Sequence, residues 1–415
     1  MGRAIPLIIV MRPRLRPVET IVVPDPRHGK VLILRDTQGI APGHAVIPPA
    51  LIPIVARFTG RLTCSQIAKE VAREIDGDCP LDVVESIAKQ LDEGLFLEGE
   101  TFERALDDAK ATFVKLSARP ASHAGGAYPG DRVELAEYID RECVRAAGKP
   151  KKGSTIRALV SPHIDPWRGA IGYGHAYGAL AASLDEQADT FIVLGTSHAP
   201  MREPFALCNK GYDTPFGEMK LDHEFASELT KASSFDPFTD MLNHKREHSI
   251  EFQAVFLKHL LGKREARIVP ILAGLGEEQA TRKNPRKTAA VAKFLDALRE
   301  GIAKRNGRVV VVAGADMAHV GPRFGDPEPH DEDKRGALEK TDRESLDLAA
   351  SRDARAFWEH VAADLDERRV CGLAPIFSLA DVIDEKLRGE VLHYEQNVDP
   401  DDGSIVSHAA LAFRG

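Results

Sequence analysis

The sequence is poor in cysteine, and its cysteines lack the spacing of a metal-binding or redox motif. The five cysteines among 415 residues are odd in number, and no two of them form a C-x-x-C pair. This argues against a disulfide framework and a zinc ribbon, and it is typical of a reducing compartment. A chain of this length buries a sizeable core without covalent cross-links, so we expect an ordinary globular protein.

Excess positive charge and long apolar runs are also missing. Lys and Arg total 55 against 63 Asp and Glu, which gives a net charge of -8 and disfavours a nucleic-acid partner. The apolar run at residues 5–11 is too short to span a bilayer, and arginines rather than a small-residue cleavage site follow it. We therefore expect a cytoplasmic protein that binds no membrane, starting at Met1 or at Met11.

Residues 1–112 form the first predicted domain, a small α+β unit with a winged-helix pattern. A hairpin, three helices and a short strand that would form the wing follow one another between turn residues. Thr63 is placed to cap the second helix, in which Ile67 and Val71 recur at helical spacing. The predicted strands cover 21–23, 31–34 and 95–97, and the predicted helices cover 49–58, 65–75 and 82–94.

The charge of this first domain argues against DNA. Residues 51–110 contain seven basic and thirteen acidic residues, and a surface of that sign repels phosphate. The pattern "PPALIPIVARFTGRLTCSQIAKEVARE" followed by "VVESIAKQLDEGLFLEGE" resembles the PqqD-like peptide-recognition domains. That resemblance implies a strand edge presented to a peptide or a partner protein. A docking or oligomerisation module is the alternative, and DNA binding ranks third.

Residues 113–415 form the second predicted domain, in which buried strands alternate with amphipathic helices. Each strand is β-branched or aliphatic, and polar residues or glycine follow it. Such alternation predicts an α/β fold with a mainly parallel sheet flanked by helices. The strands are expected at 157–162, 190–194, 267–272 and 308–313, and a charged helix at 101–116 leads into the domain.

Chemistry is expected at the carboxyl ends of three of these strands, which meet at one edge of a parallel sheet. One strand runs into His163 and the next into His198, and a third runs through Asp316 to His319. Neutral imidazoles bind iron, copper and zinc, so His163 and His198 are candidate metal ligands. Asp316 is placed to ligate the ion or to orient a histidine, and His319 is placed to act as a general base.

A polar cluster at residues 247–251 offers further candidates. It opens a helix, so one interpretation is simply a well-capped helix start, and the other is a part of the site. It is not an H-E-x-x-H zinc motif, because no histidine follows His248 at the fourth position. On the second interpretation His248 assists catalysis, and Glu247 contacts the substrate together with Ser197 and Asp165.

Cys371 stands directly before a glycine at the start of an apolar helix. A cysteine in such a position can have a lowered pKa and act as a metal ligand or a nucleophile. A buried structural cysteine is the simpler interpretation of the residue taken alone. The local pattern leaves both open.

Six ordered sequence blocks, from about Ser122 to the C-terminus, resemble the MEMO family, known in microbes as AmmeMemoRadiSam system protein B. The resemblance implies the fold of class III extradiol dioxygenases of the LigB type. Those enzymes hold non-haem Fe(II) with two histidines and a glutamate, and a further histidine serves as acid or base. The blocks are "SHAGGAYPGD", "SPHIDPWRG", "VLGTSHA", "EHSIEFQ", "VVAGADMAHVG" and "VCGLAPI".

By position, the resemblance implies that His163 and His198 hold the metal and that His319 is the acid or base. Cys371 stands where the dioxygenases have the glutamate ligand. A thiolate is softer than a carboxylate and suits copper as well as iron. We therefore expect one mononuclear Fe(II) or copper site, no nucleotide cofactor, and redox catalysis. The block "SPHIDP" departs from the family's commoner pattern, and Asp165 would add a charge at the rim.

The family name also implies partners, namely a radical-SAM protein and other members of the AmmeMemoRadiSam system. The first domain would suit the presentation of a peptide to such a partner. Two alternatives to a redox enzyme stay open. One is a non-enzymatic module that binds a peptide or a partner in the same pocket, and the other is a metal-assisted hydrolase with His319 as the base.

Overall fold

The computed structural model describes residues 11–27, 29–150, 153–365 and 367–415. These residues divide into two compact units, and the division falls between Lys115 and Leu116. The boundary expected at residue 112 lies inside the last helix of the first unit. Of the apolar run at residues 5–11, all but Met11 lies outside the described residues. None of the described helices is long and apolar enough to cross a membrane.

The described residues of the N-terminal unit combine a small antiparallel sheet with four α-helices. Its elements are strands β1 (Glu19–Asp25), β2 (Gly29–Arg35) and β3 (Ala45–Ile47) and helices α1 (Ile52–Val55), α2 (Cys64–Glu74), α3 (Leu81–Glu93) and α4 (Glu100–Lys115). The sheet order is β1-β2-β3. The predicted hairpin is confirmed, with Val23 opposite Val31 across β1 and β2.

Local sequence signals set the helices of this unit. Thr63 caps α2 in a capping box, in which its side chain accepts from the N–H of Gln66 and its own N–H donates to the Gln66 side chain. The apolar stripes of α2 and α3 meet in one core that includes Ile67 and Val84. Burial of such stripes, more than helix propensity, stabilises helices of this length. The second and third predicted helices are confirmed.

Two expectations for this unit were wrong. The helix expected at 49–58 is a 3-10 turn followed by the short α1, because Pro53 has no N–H to donate to the turn before it. The wing strand expected at 95–97 is a single bridge between Leu15 and Leu97. Two consecutive side chains are buried there, so the chain lacks the alternation of a half-buried strand.

The C-terminal unit is an α/β fold, as predicted. Its strands are β4 (Ala118–Arg119), β5 (Ile156–Ser161), β6 (Thr190–Thr196), β7 (Phe205–Leu207), β8 (Gly211–Tyr212), β9 (Lys220–Leu221), β10 (Arg267–Ala273), β11 (Val309–Gly314), β12 (Asp316–Val320), β13 (Arg388–Val398) and β14 (Ile405–Arg414). Its helices are α5 (Arg132–Tyr138), α6 (Pro166–Ser183), α7 (His223–Ala232), α8 (His248–Leu261), α9 (Gly276–Ala280), α10 (Ala289–Lys304), α11 (Glu332–Ala350), α12 (Ala354–Ala362) and α13 (Leu373–Val382).

The large sheet runs in the order β12-β14-β5-β11-β6-β10-β7. Its centre is parallel, as predicted, since β5, β11, β6 and β10 pair side by side in one direction. Its margins are antiparallel, where β14 pairs with β5, β12 and β13 and where β7 pairs with β10. The central strands are buried along nearly their whole length, which is typical of a sheet covered on both faces.

Two glycines let α8 lie directly against the carboxyl ends of β6 and β11. A Cβ added to Gly195 would lie 2.5 Å from the Oγ of Ser249, and one added to Gly314 would lie 2.2 Å from the backbone oxygen of Ser249. A backbone oxygen cannot rotate away as a side chain can, so a larger residue at Gly314 must displace the helix. This close approach puts the first turn of α8 at the edge where the strands end.

Replacement of Gly314 by alanine is expected to destabilise the protein. The added methyl group overpacks the contact with α8, at a cost of about 1–3 kcal/mol, which urea unfolding followed by circular dichroism would measure. Gly178→Ala is the matched control, because its added Cβ meets only Val144 at 3.7 Å and a helical alanine is favoured over glycine. Equal stability of the Gly314→Ala protein and the wild type would refute this account of the packing.

Candidate functional site

Three donor side chains from separate parts of the C-terminal unit meet at the carboxyl edge of the sheet. His163 follows β5, His198 follows β6 and Cys371 lies just before α13. Their donor atoms lie within 4.8 Å of one another. The Sγ of Cys371 is 3.1 Å from the Nε2 of His163, and the centroids of the two imidazole rings are 5.2 Å apart. The structure thus brings together the three residues predicted as metal ligands.

His163 is held in one orientation and one tautomer. Its Nδ1 donates to the carbonyl oxygen of Gly314 at 3.0 Å, and its backbone N–H donates to the Oδ1 of Asp316 at 2.8 Å. Burial lowers the pKa of His163, although the charge of Asp316 acts in the other direction. The ring is therefore neutral at pH 7, and its lone pair lies on Nε2, the nitrogen that faces Cys371.

Glu247 orients His198 in a similar way. As the N-cap of α8, it accepts the backbone N–H of His198 at 2.9 Å, and its carboxylate oxygens lie 3.0 and 3.1 Å from the ring Nδ1. Burial acts to raise the pKa of Glu247, but His198 and His248 outweigh it and hold the pKa well below the usual value. A carboxylate that accepts from Nδ1 places the lone pair of His198 on Nε2, as in carboxylate–histidine–metal triads.

The backbone around Cys371 fixes its position. Thr196 donates its hydroxyl proton to the carbonyl oxygen of Cys371 at 2.8 Å. A Cβ on Gly372 would lie 2.2 Å from the backbone oxygen of Asp316, so glycine is required where the chain crosses β12. The lowered pKa considered for Cys371 from its position before a helix is wrong. Burial and the negative charge of Asp316 raise its pKa well above the usual value.

Asp316 and His319 lie on a strand of their own, because the chain turns after β11 and returns as β12 to pair with β14. The backbone N–H of His319 donates to the carbonyl of Arg368 at 2.7 Å, and its ring packs edge-to-face on Phe324, with centroids 5.1 Å apart. Burial lowers the pKa of His319 to about 4. At pH 7 this ring is therefore a neutral hydrogen-bonding group and a weak base.

The other predicted residues are placed less uniformly. His248 stacks on His198, with ring centroids 4.7 Å apart, so it stands beside the three donors. The hydroxyl of Ser197 donates to a carbonyl two residues further along the chain, and Asp165 caps α6 and pairs with an arginine in its first turn. These hydrogen bonds join Ser197 and Asp165 to residues close to them in the chain. The role of the two residues as substrate contacts stays a prediction.

A buried ion pair supports the residues of the site, and the sequence did not reveal it. Arg119 on β4 pairs with Glu251 on α8, and both side chains are fully buried. Arg119 also donates to the backbone oxygen of Glu247 at 2.7 Å. Glu251 accepts the N–H of His123 at 2.9 Å and the hydroxyl of Tyr128 at 2.5 Å. The only sequence signal was the presence of these residues in or beside the "SHAGGAYPGD" and "EHSIEFQ" blocks.

The match to a known family covers this whole arrangement. A family model described as "Memo-like protein" matches residues 119–412, a range that includes every site residue named above. This chain belongs to the Memo-like family. The family identified from the six sequence blocks is thereby confirmed.

Individual relatives of this Memo-like protein match over most of its length. A MEMO1 family protein of Aquifex aeolicus is 27% identical over 388 residues, which are 93% of this chain and 96% of the relative. One of Thermus thermophilus is 27% identical over 351 residues, which are 85% of this chain and 99% of the relative. With 93% of the chain matched, the Aquifex relative also corresponds to much of the N-terminal unit.

Replacement of Arg119 by methionine is expected to destabilise this Memo-like protein strongly. It would leave the buried Glu251 carboxylate without its charge partner, at a cost of about 3–5 kcal/mol, which the denaturant midpoint at pH 7 would report. Arg355→Met is the control, because Arg355 and its partner Glu359 are both exposed, and it should leave the midpoint unchanged. Similar midpoints for both variants would show that the buried pair does not support the fold.

The ring of His319 is expected to stay neutral as the protein is acidified from pH 8 to pH 5.5. Its folded pKa of about 4 lies below the value of about 6.5 expected for the unfolded chain, so its contribution to stability is complete above pH 6.5. That contribution declines as the pH falls from 6.5 towards 4, because the unfolded chain binds the proton more readily. NMR of the assigned ring measures this, with the urea-unfolded protein as the control, and titration near 6.5 in the folded protein would contradict it.

Proposed function

We propose that this Memo-like protein binds a single iron or copper ion through His163, His198 and Cys371 and acts as a redox enzyme. The observation that supports this is the meeting of two nitrogens and one sulfur within 4.8 Å. Both imidazoles already have their Nδ1 engaged by an oxygen of the protein. Such engagement orients ring and tautomer for a metal at Nε2.

The chemistry of this donor set fits an iron or copper ion. Two imidazoles and one thiolate are softer than two imidazoles and one carboxylate, and they suit Cu(I) as well as Fe(II). Protein groups alone raise the pKa of Cys371, so the thiolate needs a nearby cation to form. When bound, the ion would supply electron transfer and open coordination positions for an oxidant and a substrate.

The surrounding residues would orient the donors and the substrate. Glu247 keeps the tautomer of His198, and Asp316 fixes the backbone of His163. The ring of His319, which is neutral at pH 7, would form a hydrogen bond with a bound substrate. Burial also lowers the pKa of His248. The ring that stacks on His198 is therefore uncharged and adds no positive charge to the site.

The first test is metal analysis of protein purified without oxygen or reconstituted with Fe(II) or Cu(I). We expect about one ion per chain in the wild type and a large loss in Cys371→Ser and His163→Ala, because each removes one of three donors. Cys79→Ser is the matched control, since Cys79 is a free cysteine of the N-terminal unit. Equal metal content in all four proteins, or none in the wild type after reconstitution, would overturn the proposed site.

A second function, which we propose for the N-terminal unit, is the binding of a peptide or a radical-SAM partner protein along a sheet edge. Within the described residues, β1 and β3 each pair only with β2, so neither outer edge is hydrogen-bonded to a further strand, as strand addition requires. Val46, on β3, is 49% exposed, and Val46→Lys would place a charge at that edge.

Binding of a purified radical-SAM protein to the full chain would test this second function by calorimetry. We expect measurable binding by the wild type and a loss in Val46→Lys, because an edge charge opposes strand addition. Val133→Lys is the control, because Val133 is an exposed valine of the C-terminal unit. Equal binding by all three proteins would place the interaction elsewhere, and no binding by any would remove this partner.

A further inference from the structure

His123 lies beside His248, the histidine whose ring stacks on that of His198. Its ring centroid is 5.8 Å from that of His248, whose ring in turn lies 4.7 Å from His198 and 5.3 Å from His163. The side chains of His123, His248 and His198 are 23%, 31% and 32% exposed, whereas that of His163 is 2% exposed. These three rings are therefore partly accessible to solvent, whereas the ring of His163 is enclosed.

Glu251 fixes the orientation of His123. Its Oε2 lies 2.8 Å from the ring Nδ1 of His123, and its Oε1 accepts the backbone N–H of the same residue at 2.9 Å. An ionised carboxylate only accepts hydrogen bonds, so Nδ1 carries the proton and Nε2 carries the lone pair. None of the described residues hydrogen-bonds this Nε2.

The groups around His123 are otherwise neutral or already paired. The charge of Glu251 is compensated by Arg119 behind it, and Tyr128 donates its hydroxyl proton to the same carboxylate. The remaining ring neighbours are His248 and Phe252, the latter with its centroid 5.7 Å away. Glu251 is thus the charged group that contacts the His123 ring, through Nδ1.

We propose that His123 is the proton acceptor for a ligand that loses a proton when it binds at the metal site. The ligand class is a small neutral acid H–X, such as a hydroxyl or thiol compound. The H–X bond breaks, its electron pair stays on X, and a new N–H bond forms at Nε2 of His123. The anion X would then bind the ion that His163, His198 and Cys371 would hold. No oxidation state changes in this step. The inference rests on the proposed function, because X needs the ion that the three donors would hold.

Two small probes of opposite protonation state test the step in the full-length protein loaded with Co(II), whose absorption reports ligand binding. Cyanide is present at neutral pH mainly as the acid HCN, whereas azide is already an anion. Asn in place of His123 keeps a donor for Glu251 and removes the proton acceptor. We expect His123→Asn to slow cyanide association roughly 100-fold and to leave azide association unchanged. Equal slowing of both probes, or of neither, would overturn the inference.

His259→Asn is the matched control, because His259 is also paired with a carboxylate, that of Asp140 at 2.8 Å, at the other end of α8. It should change neither rate. Retained melting temperature and Co(II) content in His123→Asn would show that fold and metal site are intact.

A second measurement needs no metal and separates the two proposals. Nitrogen NMR of the metal-free protein should find the proton of the neutral His123 ring on Nδ1 and none on Nε2. A proton on Nε2 would overturn the inference whether or not the metal site exists, because that nitrogen could not accept another. Absence of Co(II) binding by the wild type would instead count against the proposed metal site, whereas the NMR result tests the tautomer of His123 independently of any metal.

Discussion

The buried ion pair between Arg119 and Glu251 is the interaction on which the geometry of the site depends. It joins the start of the C-terminal unit to the first turn of α8, two segments that are 132 residues apart in the chain. Through Glu251 it fixes His123, and through the backbone oxygen of Glu247 it fixes the residue that orients His198. A pair of fully buried charges is costly to form, but the loss of one partner costs more. This ion pair therefore holds the imidazoles of His123 and His198 in fixed positions.

Parallel pairing supplies the other half of the geometry. Because β5, β11 and β6 run side by side in one direction, the residues that follow them share one edge, and His163 and His198 become neighbours. Helices must then come close enough to complete the site. Gly195 and Gly314 allow this for α8, and Gly372 allows it where the chain carrying Cys371 crosses β12. Three small residues thus set how near the third donor and the orienting carboxylate lie to the strand ends.

The sequence predicted the parts of this structure that arise from short-range patterns. Aliphatic strand segments, the Thr63 cap and the residues at strand ends are local signals, and they located the sheet, two N-terminal helices and the meeting of His163 with His198. It did not predict the pairing of Arg119 with Glu251, because a long-range ion pair leaves no periodicity in either segment. The pKa of Cys371 was also mispredicted, since the neighbouring Asp316 comes from a strand that only the tertiary fold brings near. Buried polar contacts, unlike apolar stripes, are specified by partners distant in sequence.

A thiol at position 371 avoids adding another buried negative charge to a site that already contains several carboxylates. Asp316, Glu247 and Glu251 are all buried, and donors or a cation compensate each of them in the protein itself. A further ionised carboxylate beside Asp316 would lack such a partner whenever no metal is bound. A neutral thiol avoids that cost, and at 3.1 Å its proton can instead be donated to the Nε2 of His163. Binding of a cation at these donors would then release the thiol proton, so metal affinity and proton concentration oppose each other at this site.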